Sequence, residues 1–175
     1  MVGRSRIVLD TNVVVSAALA PRSVPRQCLD TALEWHAVLI SEDVLAEYGR
    51  KLMSAKFDRW VAREPRHALL LDLTQCETVT IRHTVSGSRD PDDNKILELA
   101  VNGQADLIVS GDKDLTSLGK FRDIAIVTAR QFLAGYAGLP YSGEILGASG
   151  LHPYTATTPL STASSSNAAF IRACV

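Results

Sequence analysis

The sequence predicts an α/β fold, a three-layer α/β/α sandwich around a mostly parallel sheet of five strands. Short β-branched segments alternate with segments of helical periodicity from Arg6 to Ala137. The strand segments are continuously apolar, which is typical of parallel strands covered on both faces. Helices that alternate with buried strands pack on both faces of one sheet, so these observations together define the fold class.

The first half of the chain contains three predicted strands and four predicted helices. Thr11 can cap the first helix and Ser41 the third, while Pro25 stands in the first turn of the second. In chain order, the elements are the strand RIVLD (6–10), helices over 13–19 and 24–35, the strand AVLI (37–40), helices over about 42–53 and 58–73, and the strand TVTI (78–81).

The second half continues the alternation to residue 137 and then changes in composition. We predict a helix over 91–103 that Gly103 closes, the strands DLIVS (106–110) and IAIVT (124–128), and a short helix over 129–137. Residues 138–175 are rich in Ser, Thr and Ala and show no periodicity. The sequence therefore predicts one domain over 1–137 and a flexible extension over 138–175, although such a tail could instead dock on a partner.

The composition limits the classes of function. With 175 residues, a net charge of −1 and a pI near 6.4, the chain cannot bind nucleic acid by overall basic charge and would need a local positive patch. Its three cysteines form no C-x-x-C pair, which argues against a disulfide framework or zinc site and favours a reducing, cytoplasmic location. The most apolar segment, residues 13–20, is too short to cross a bilayer.

Acidic residues stand where predicted strands end. Asp10 ends the first strand, Asp112 and Asp114 follow the fourth, and Glu47 lies in the helix after the second. Ligand sites of parallel α/β sheets lie at the carboxyl ends of the strands, so several of these carboxylates can converge. Each also has a structural interpretation: Asp10 can simply end a strand, Glu47 can be a solvated helix residue, and Asp114 can partly cap the segment LTSL.

The segment SRDPDDNKILELA (88–100) crowds three aspartates before an apolar helix. Asp90 before Pro91 suits a helix N-cap, and acids in the first turn also complement the helix dipole. Asp93 differs because it leads the apolar stripe continued by Ile96, Leu97 and Ala100. We therefore expect Asp93 to be a site residue and Asp92 a secondary candidate.

Four converging carboxylates would raise one another's pKa unless a cation held them ionised. Because Arg and Lys are scarce in these motifs, we expect a divalent metal to be the counterion. Oxygen ligands without Cys or His favour a hard ion, Mg²⁺ or Mn²⁺. Such ions, singly or in pairs, serve the hydrolysis of phosphodiesters.

Four motifs in order, VLDTNVVVSA, SEDVLAEYGRKL, RDPDDNKILELA and ADLIVSGDKDL, resemble the PIN-domain family, and in particular its bacterial VapC-like toxins of toxin–antitoxin systems. The resemblance spans residues 5–135 and implies a metal-dependent endoribonuclease. It places the catalytic, metal-binding acids at Asp10, Glu47, Asp93 and Asp112, with Asp114 as a further acid. Asn12, Ser110 and Thr11 match or adjoin positions that support the metal site. It also implies an RNA substrate, a small antitoxin partner and a homodimer.

RNA binding requires positive charge away from the acids. A basic stretch supplies candidates that contact the phosphate backbone, and three of them are spaced as one helical stripe: Arg59, Arg63 and Arg66, with Arg50 and Lys51 nearby. A solvated helix face is the alternative interpretation. Trp35 and Trp60 are expected in the core or an interface.

Two other functions remain open. A haloacid-dehalogenase-like phosphatase or a receiver domain also places an aspartate after the first strand and needs a late lysine, for which Lys113 is available. Asn12, however, replaces the second acid of the phosphatase motif, and that chemistry predicts neither Glu47 nor Asp93. The other alternative is a PIN fold that binds RNA or protein without turnover.

Overall fold

The structure, a computed structural model, describes residues 4–85 and 94–135. Within these ranges seven α-helices and one 3₁₀ helix alternate with six strands. In chain order they are β1 (Arg6–Leu9), α1 (Thr11–Leu19), α2 (Val24–Trp35), β2 (Ala37–Ile40), α3 (Glu42–Leu52), the 3₁₀ helix Ala55–Phe57, α4 (Arg63–Leu73), β3 (Glu77–Thr78), α5 (Asn94–Asn102), β4 (Leu107–Val109), α6 (Lys113–Leu118), β5 (Lys120–Phe121), β6 (Ile124–Val127) and α7 (Ala129–Gly135).

The strands form one sheet in the order β3-β2-β1-β4-β6-β5. All neighbours pair in parallel except β5 and β6, which are antiparallel. The predicted α/β fold with a mostly parallel sheet is therefore confirmed, but the sheet has six described strands rather than five. The additional strand β5 has two residues, and such a short edge strand leaves almost no periodic pattern in a sequence.

The centre of the sheet is buried on both faces, as continuous apolar strands require. Every residue of β4 is buried, as are the last three of β1 and of β2. Helix α5 packs against β1, β2 and β4. It ends before Gly103, where a Cβ atom would lie 2.7 Å from the Leu39 side chain and 2.9 Å from the Leu99 carbonyl oxygen. Glycine is thus required for the close approach of this helix end to β2.

Several predicted boundaries need correction. Strand β3 covers Glu77–Thr78 rather than 78–81, because this exposed edge pairs only with β2 and its last bond is from the Val79 N–H to the Ile40 carbonyl. Helix α4 begins at Arg63, not near residue 58. Thr11 is the first residue of α1 rather than its cap, and Asp10 occupies the N-cap position.

The predicted division at residues 137/138 and the flexibility of the extension concern a part of the chain outside the described residues. The same holds for the start of the helix predicted over 91–103. In the part of the chain that the structure does describe, no helix combines the length and apolar character needed to span a membrane. Trp35 and Trp60 are 53% and 69% exposed, so the expectation that they could be core residues is wrong.

Candidate metal centre

The centre of the site is the paired carboxyl ends of β1 and β4. The two strands are parallel with Leu9 opposite Val109, and the Asp10 N–H donates to the Val109 carbonyl oxygen at 2.8 Å. The residue that follows β1 is therefore Asp10, and the residue that follows β4 is Ser110. Both side chains are buried at this edge, with Asp10 5% exposed. The strand register alone brings together residues one hundred positions apart.

Ser110 connects the two aspartates at this edge. Its Oγ donates to Oδ2 of Asp10 at 2.6 Å and accepts from the Asp112 N–H at 2.9 Å. One fully buried hydroxyl thus fixes the Asp10 carboxylate and the turn that carries Asp112. A side chain that orients metal-binding carboxylates in this way sets the geometry of the site.

The surroundings of Asp10 disfavour the charged form of its carboxylate. Burial raises its pKa above the usual value of 3.8, and the negative charge of Asp112 raises it further. The Ser110 hydrogen bond, the nearby Asn12 N–H and the positive charge of Lys51 oppose this rise without cancelling it. A cation placed between Asp10 and Asp112 would relieve both unfavourable contributions.

Asp112 also stands at the start of a helix. It is the N-cap of α6, and its Oδ1 accepts from the Asp114 N–H at 2.7 Å. The interpretation of Asp114 as a partial cap is therefore wrong: Asp112 is the cap, and the exposed Asp114 lies in the first turn. Capping fixes one oxygen of Asp112 and leaves Oδ2 as the further donor atom of that carboxylate.

Tyr48 brings α3 to the same edge. Its buried hydroxyl donates to the Leu9 carbonyl oxygen at 2.5 Å, one residue before Asp10. Burial raises the Tyr48 pKa well above 10, and the charges of Asp10 and Glu47 act in the same direction. Tyr48 therefore docks the helix against the end of β1 and places the preceding residue, Glu47, beside the site.

Glu47 is buried and is paired with two lysines. Its Oε1 lies 2.8 Å from Lys51 Nζ, one turn later in α3, and its Oε2 lies 2.8 Å from Lys95 Nζ in α5. Burial alone would raise the pKa of Glu47, but the hydrogen bonds and charges of Lys51 and Lys95 lower it to about 2. The expectation that basic residues are scarce at the acids is thus wrong for Glu47.

We expect these ion pairs to make the stability of the metal-free protein depend on Glu47. The pKa of about 2 lies below the usual 4.5, so the stabilisation is fully present above pH 4.5 and is lost as the pH falls towards 2. With metal removed by a chelator, Glu47→Gln should be less stable than wild type at pH 7 by on the order of 2 kcal/mol. Denaturant unfolding at several pH values measures this difference.

The difference should shrink steadily between pH 4.5 and pH 2. Glu34→Gln is the matched control, since Glu34 is an exposed helical glutamate. A deficit of Glu47→Gln that stayed constant down to pH 2 would contradict the ion-pair interpretation.

The remaining predicted site residues fall into two groups. Asp90, Asp92 and Asp93 lie outside the described residues, so their predicted roles stay predictions. Thr11 is buried in the first turn of α1, whereas Asn12 is exposed and approaches Asp10 with its backbone N–H. The predictions missed Lys51 and Lys95 as partners of Glu47. The i, i+4 spacing of Glu47 and Lys51 signals such a pair, but Lys95 is distant in sequence.

The predicted basic stripe is not one helical face, because Arg59 lies before α4 begins. The Arg66 side chain is fully buried and donates to the carbonyl oxygens of Leu52 at 2.7 Å and Ala62 at 3.0 Å. It also contacts Asp58 at 2.5 Å, as the half-exposed Arg63 does at 2.6 Å. Arg59 is exposed and its guanidinium lies over the Trp60 ring, 4.9 Å from the centroid.

The donor atoms of Asp10 and Asp112 are carboxylate oxygens, the type that hard dications prefer. Within residues 4–85 and 94–135, no three His, Cys, Asp or Glu side chains are close enough together to hold a metal ion. The described part of the site is the pair Asp10 and Asp112, and the predicted third acid, Asp93, lies outside those ranges. The pair offers carboxylate oxygens, a supporting hydroxyl and an unfavourable build-up of negative charge, which suit Mg²⁺ or Mn²⁺.

The site thus combines a buried aspartate after β1, Asp112 in the turn between β4 and α6, and Glu47 on α3. The PIN-domain family model matches residues 6–114, well over half of the chain, and the protein belongs to the PIN-domain family. Proteins of this family are generally nucleases. The match includes every described acid of the site.

Two individual proteins are similar to this chain. An uncharacterized protein of Methanocaldococcus jannaschii, MJ1680, is 35% identical over 116 residues, which cover 65% of this chain and 74% of the relative. Among solved structures, VapBC2 from Rickettsia felis bound to a DNA fragment from its promoter aligns with a TM-score of 0.47 and 16% identity. That alignment covers 69% of this chain and 96% of the other.

Proposed function

We propose that this protein is a metal-dependent endoribonuclease that hydrolyses RNA phosphodiester bonds, with Mg²⁺ or Mn²⁺ as cofactor. The observation that carries the proposal is the buried Asp10 carboxylate, held 2.6 Å from Ser110 Oγ and destabilised by Asp112. A protein gains nothing in stability from burying one acid beside another. Such an arrangement is typical of a site that binds a cation.

Asp10 and Asp112 would hold the metal, together with Asp93, and possible further oxygen donors are Asp92 and Asp114. When bound, the dication supplies an activated water and neutralises charge on the phosphate. Ser110 keeps Asp10 oriented and ties it to the turn before α6, with Asn12 and Thr11 in the supporting layer. Glu47 lies beside this group, where its two carboxylate oxygens pair with Lys51 and Lys95.

RNA contact would involve exposed cations around α3 and the following connection. Arg50, Arg59 and Arg63 are exposed, and Arg63 is paired with Asp58. Arg66 is left out of this proposed surface because its buried guanidinium has no access to a phosphate. Lys51 is half-exposed and adjoins Glu47, so it can attract a backbone phosphate towards the acids without leaving its ion pair.

The biological role we propose is that of a VapC-like toxin, neutralised by a small antitoxin protein and acting as a homodimer in the cytoplasm. PIN-domain membership and the complete set of family acids in the sequence support this role. In cells, we expect expression of this protein alone to arrest growth. Co-expression of a small protein encoded by a neighbouring gene should relieve the arrest.

The decisive experiment is RNA cleavage by the purified full chain. We expect cleavage with Mg²⁺ or Mn²⁺ and none after chelation, with activity restored when the ion is added back. Products should carry 5′-phosphates, as the family implies. Metal-dependent binding of RNA without cleavage would favour a non-catalytic binding module, and a stable aspartyl-phosphate would favour a phosphoryl-transfer domain. Either outcome would contradict the proposal.

A further inference from the structure

Glu47 is one of the four acids that the family resemblance assigns to the metal. In the structure, both of its carboxylate oxygens lie 2.8 Å from an ammonium nitrogen, Oε1 from Lys51 and Oε2 from Lys95. These are short, charge-assisted contacts. The two cations come from different helices, α3 and α5, so the arrangement does not follow from one helical repeat.

Packing holds Glu47 and its two lysine partners in place. Glu47 has only 11% of its side chain exposed, and Lys95 has 28%. The neighbouring Tyr48 is fully buried and bonded to β1, which fixes the register of this turn of α3. The lysines are therefore part of the wall of the site. The positive charge of Lys51 also acts on Asp10, so this lysine interacts electrostatically with both Asp10 and Glu47.

A dication that used Glu47 would have to displace an ammonium group or bind beside it. Like charges at such separations repel, and the repulsion is screened less at Glu47, which is largely shielded from water, than at the surface. The charge balance leads to the same result. Glu47 together with Lys51 and Lys95 carries a net charge of +1, which disfavours a dication beside them. The described acids Asp10 and Asp112 carry two negative charges, which match one dication.

We propose that Lys51 and Lys95 occupy the place of a second metal ion, so that the site holds a single dication on the Asp10 and Asp112 side. Glu47 is then the partner of the lysines rather than a direct metal ligand. Both lysines act as positioning residues. This inference rests on the metal site of the proposed function, but it concerns the number of ions rather than the reaction.

The test is the stoichiometry of Mn²⁺ binding to the full chain, measured by equilibrium dialysis, with electron paramagnetic resonance to detect two ions close together. We expect one Mn²⁺ per chain in the wild type. The double variant Lys51→Met/Lys95→Met removes both charges and keeps the side-chain length. It should bind two Mn²⁺ per chain and show the broadened spectrum of two coupled ions.

Two controls separate charge from folding. Lys95→Arg retains the positive charge and should still bind one Mn²⁺. Lys56→Met removes an exposed lysine that lies over Phe57, away from Glu47, and should also bind one. If the double variant does not fold, the single variants Lys51→Met and Lys95→Met replace it, and each should acquire a second, weaker Mn²⁺.

The outcomes distinguish this inference from the proposed function. Two ions in the wild type, or one ion in every lysine variant, would overturn the inference and leave the nuclease proposal intact. No Mn²⁺ on the wild type would overturn both. One ion in the wild type and two in the double variant, with no RNA cleavage by the wild type, would support the inference and reject the nuclease.

Discussion

Asp10→Asn should abolish metal-dependent RNA cleavage, lowering the rate by about a hundredfold or more, while the protein stays folded. Substitutions that disturb only the support of a metal site cost about 10- to 100-fold, and loss of a ligand charge should cost at least as much. Asparagine keeps the shape and the acceptor oxygen for Ser110. It removes a buried charge beside Asp112, so we expect unchanged or slightly higher stability without metal.

The measurement is cleavage rate together with thermal unfolding of the same preparation, with and without Mn²⁺. Wild type should gain stability from the ion, and Asp10→Asn should not. Asp123→Asn is the matched control, because Asp123 is exposed between β5 and β6, is not among the proposed site residues, and should retain activity. Full activity of Asp10→Asn would remove Asp10 from the mechanism, and loss of activity with loss of folding would point to a structural role instead.

Arg66→Ala should destabilise the protein by about 3 kcal/mol, the largest stability effect we expect from a basic residue. Removing one side of a buried charged network typically costs about 3–5 kcal/mol. Arg66 donates to the carbonyl oxygens of Leu52, Ser54 and Ala62, and it contacts Asp58. It thus ties the end of α3 to the start of α4, and the variant would leave those carbonyl groups without their donor.

Denaturant unfolding of the metal-free protein measures the effect. Arg63→Ala is the control, since Arg63 contacts the same Asp58 from a half-exposed position and should change stability little. For RNA the order should reverse: Arg63→Ala should weaken binding and reduce its salt dependence, whereas a folded Arg66→Lys variant should bind as wild type does. A stable Arg66→Ala protein with weakened RNA binding would restore the original interpretation of Arg66 as an RNA contact.

The site shows how far a sequence pattern can be followed. A strand that ends on an aspartate predicts where Asp10 lies, and the apolar segment before Ser110 does the same for β4. Parallel pairing then requires the two ends to meet. The cap of α6 was harder to predict, because Asp112 and Asp114 are both acids near the same helix start and only backbone geometry selects Asp112.

The basic residues show where the pattern fails. The spacing of Arg59, Arg63 and Arg66 matches one helical face, but the helix begins only at Arg63 and turns Arg66 inward. From sequence alone, a charged residue is predicted to lie at the surface, because the partners that could allow its burial are not known. For Arg66 most of those partners are backbone carbonyl groups, which no sequence motif marks.

The sequence by itself determined the α/β class, the order of strands and helices apart from α6 and β5, the acids at strand ends and membership of the PIN-domain family, because periodicity and strand-end motifs are local. Only the tertiary structure decided that Ser110 bridges Asp10 and Asp112, that Lys95 reaches Glu47 across 48 positions, and that Arg66 is buried. These features depend on distances between elements far apart in the chain, and strand register and helix docking fix those distances.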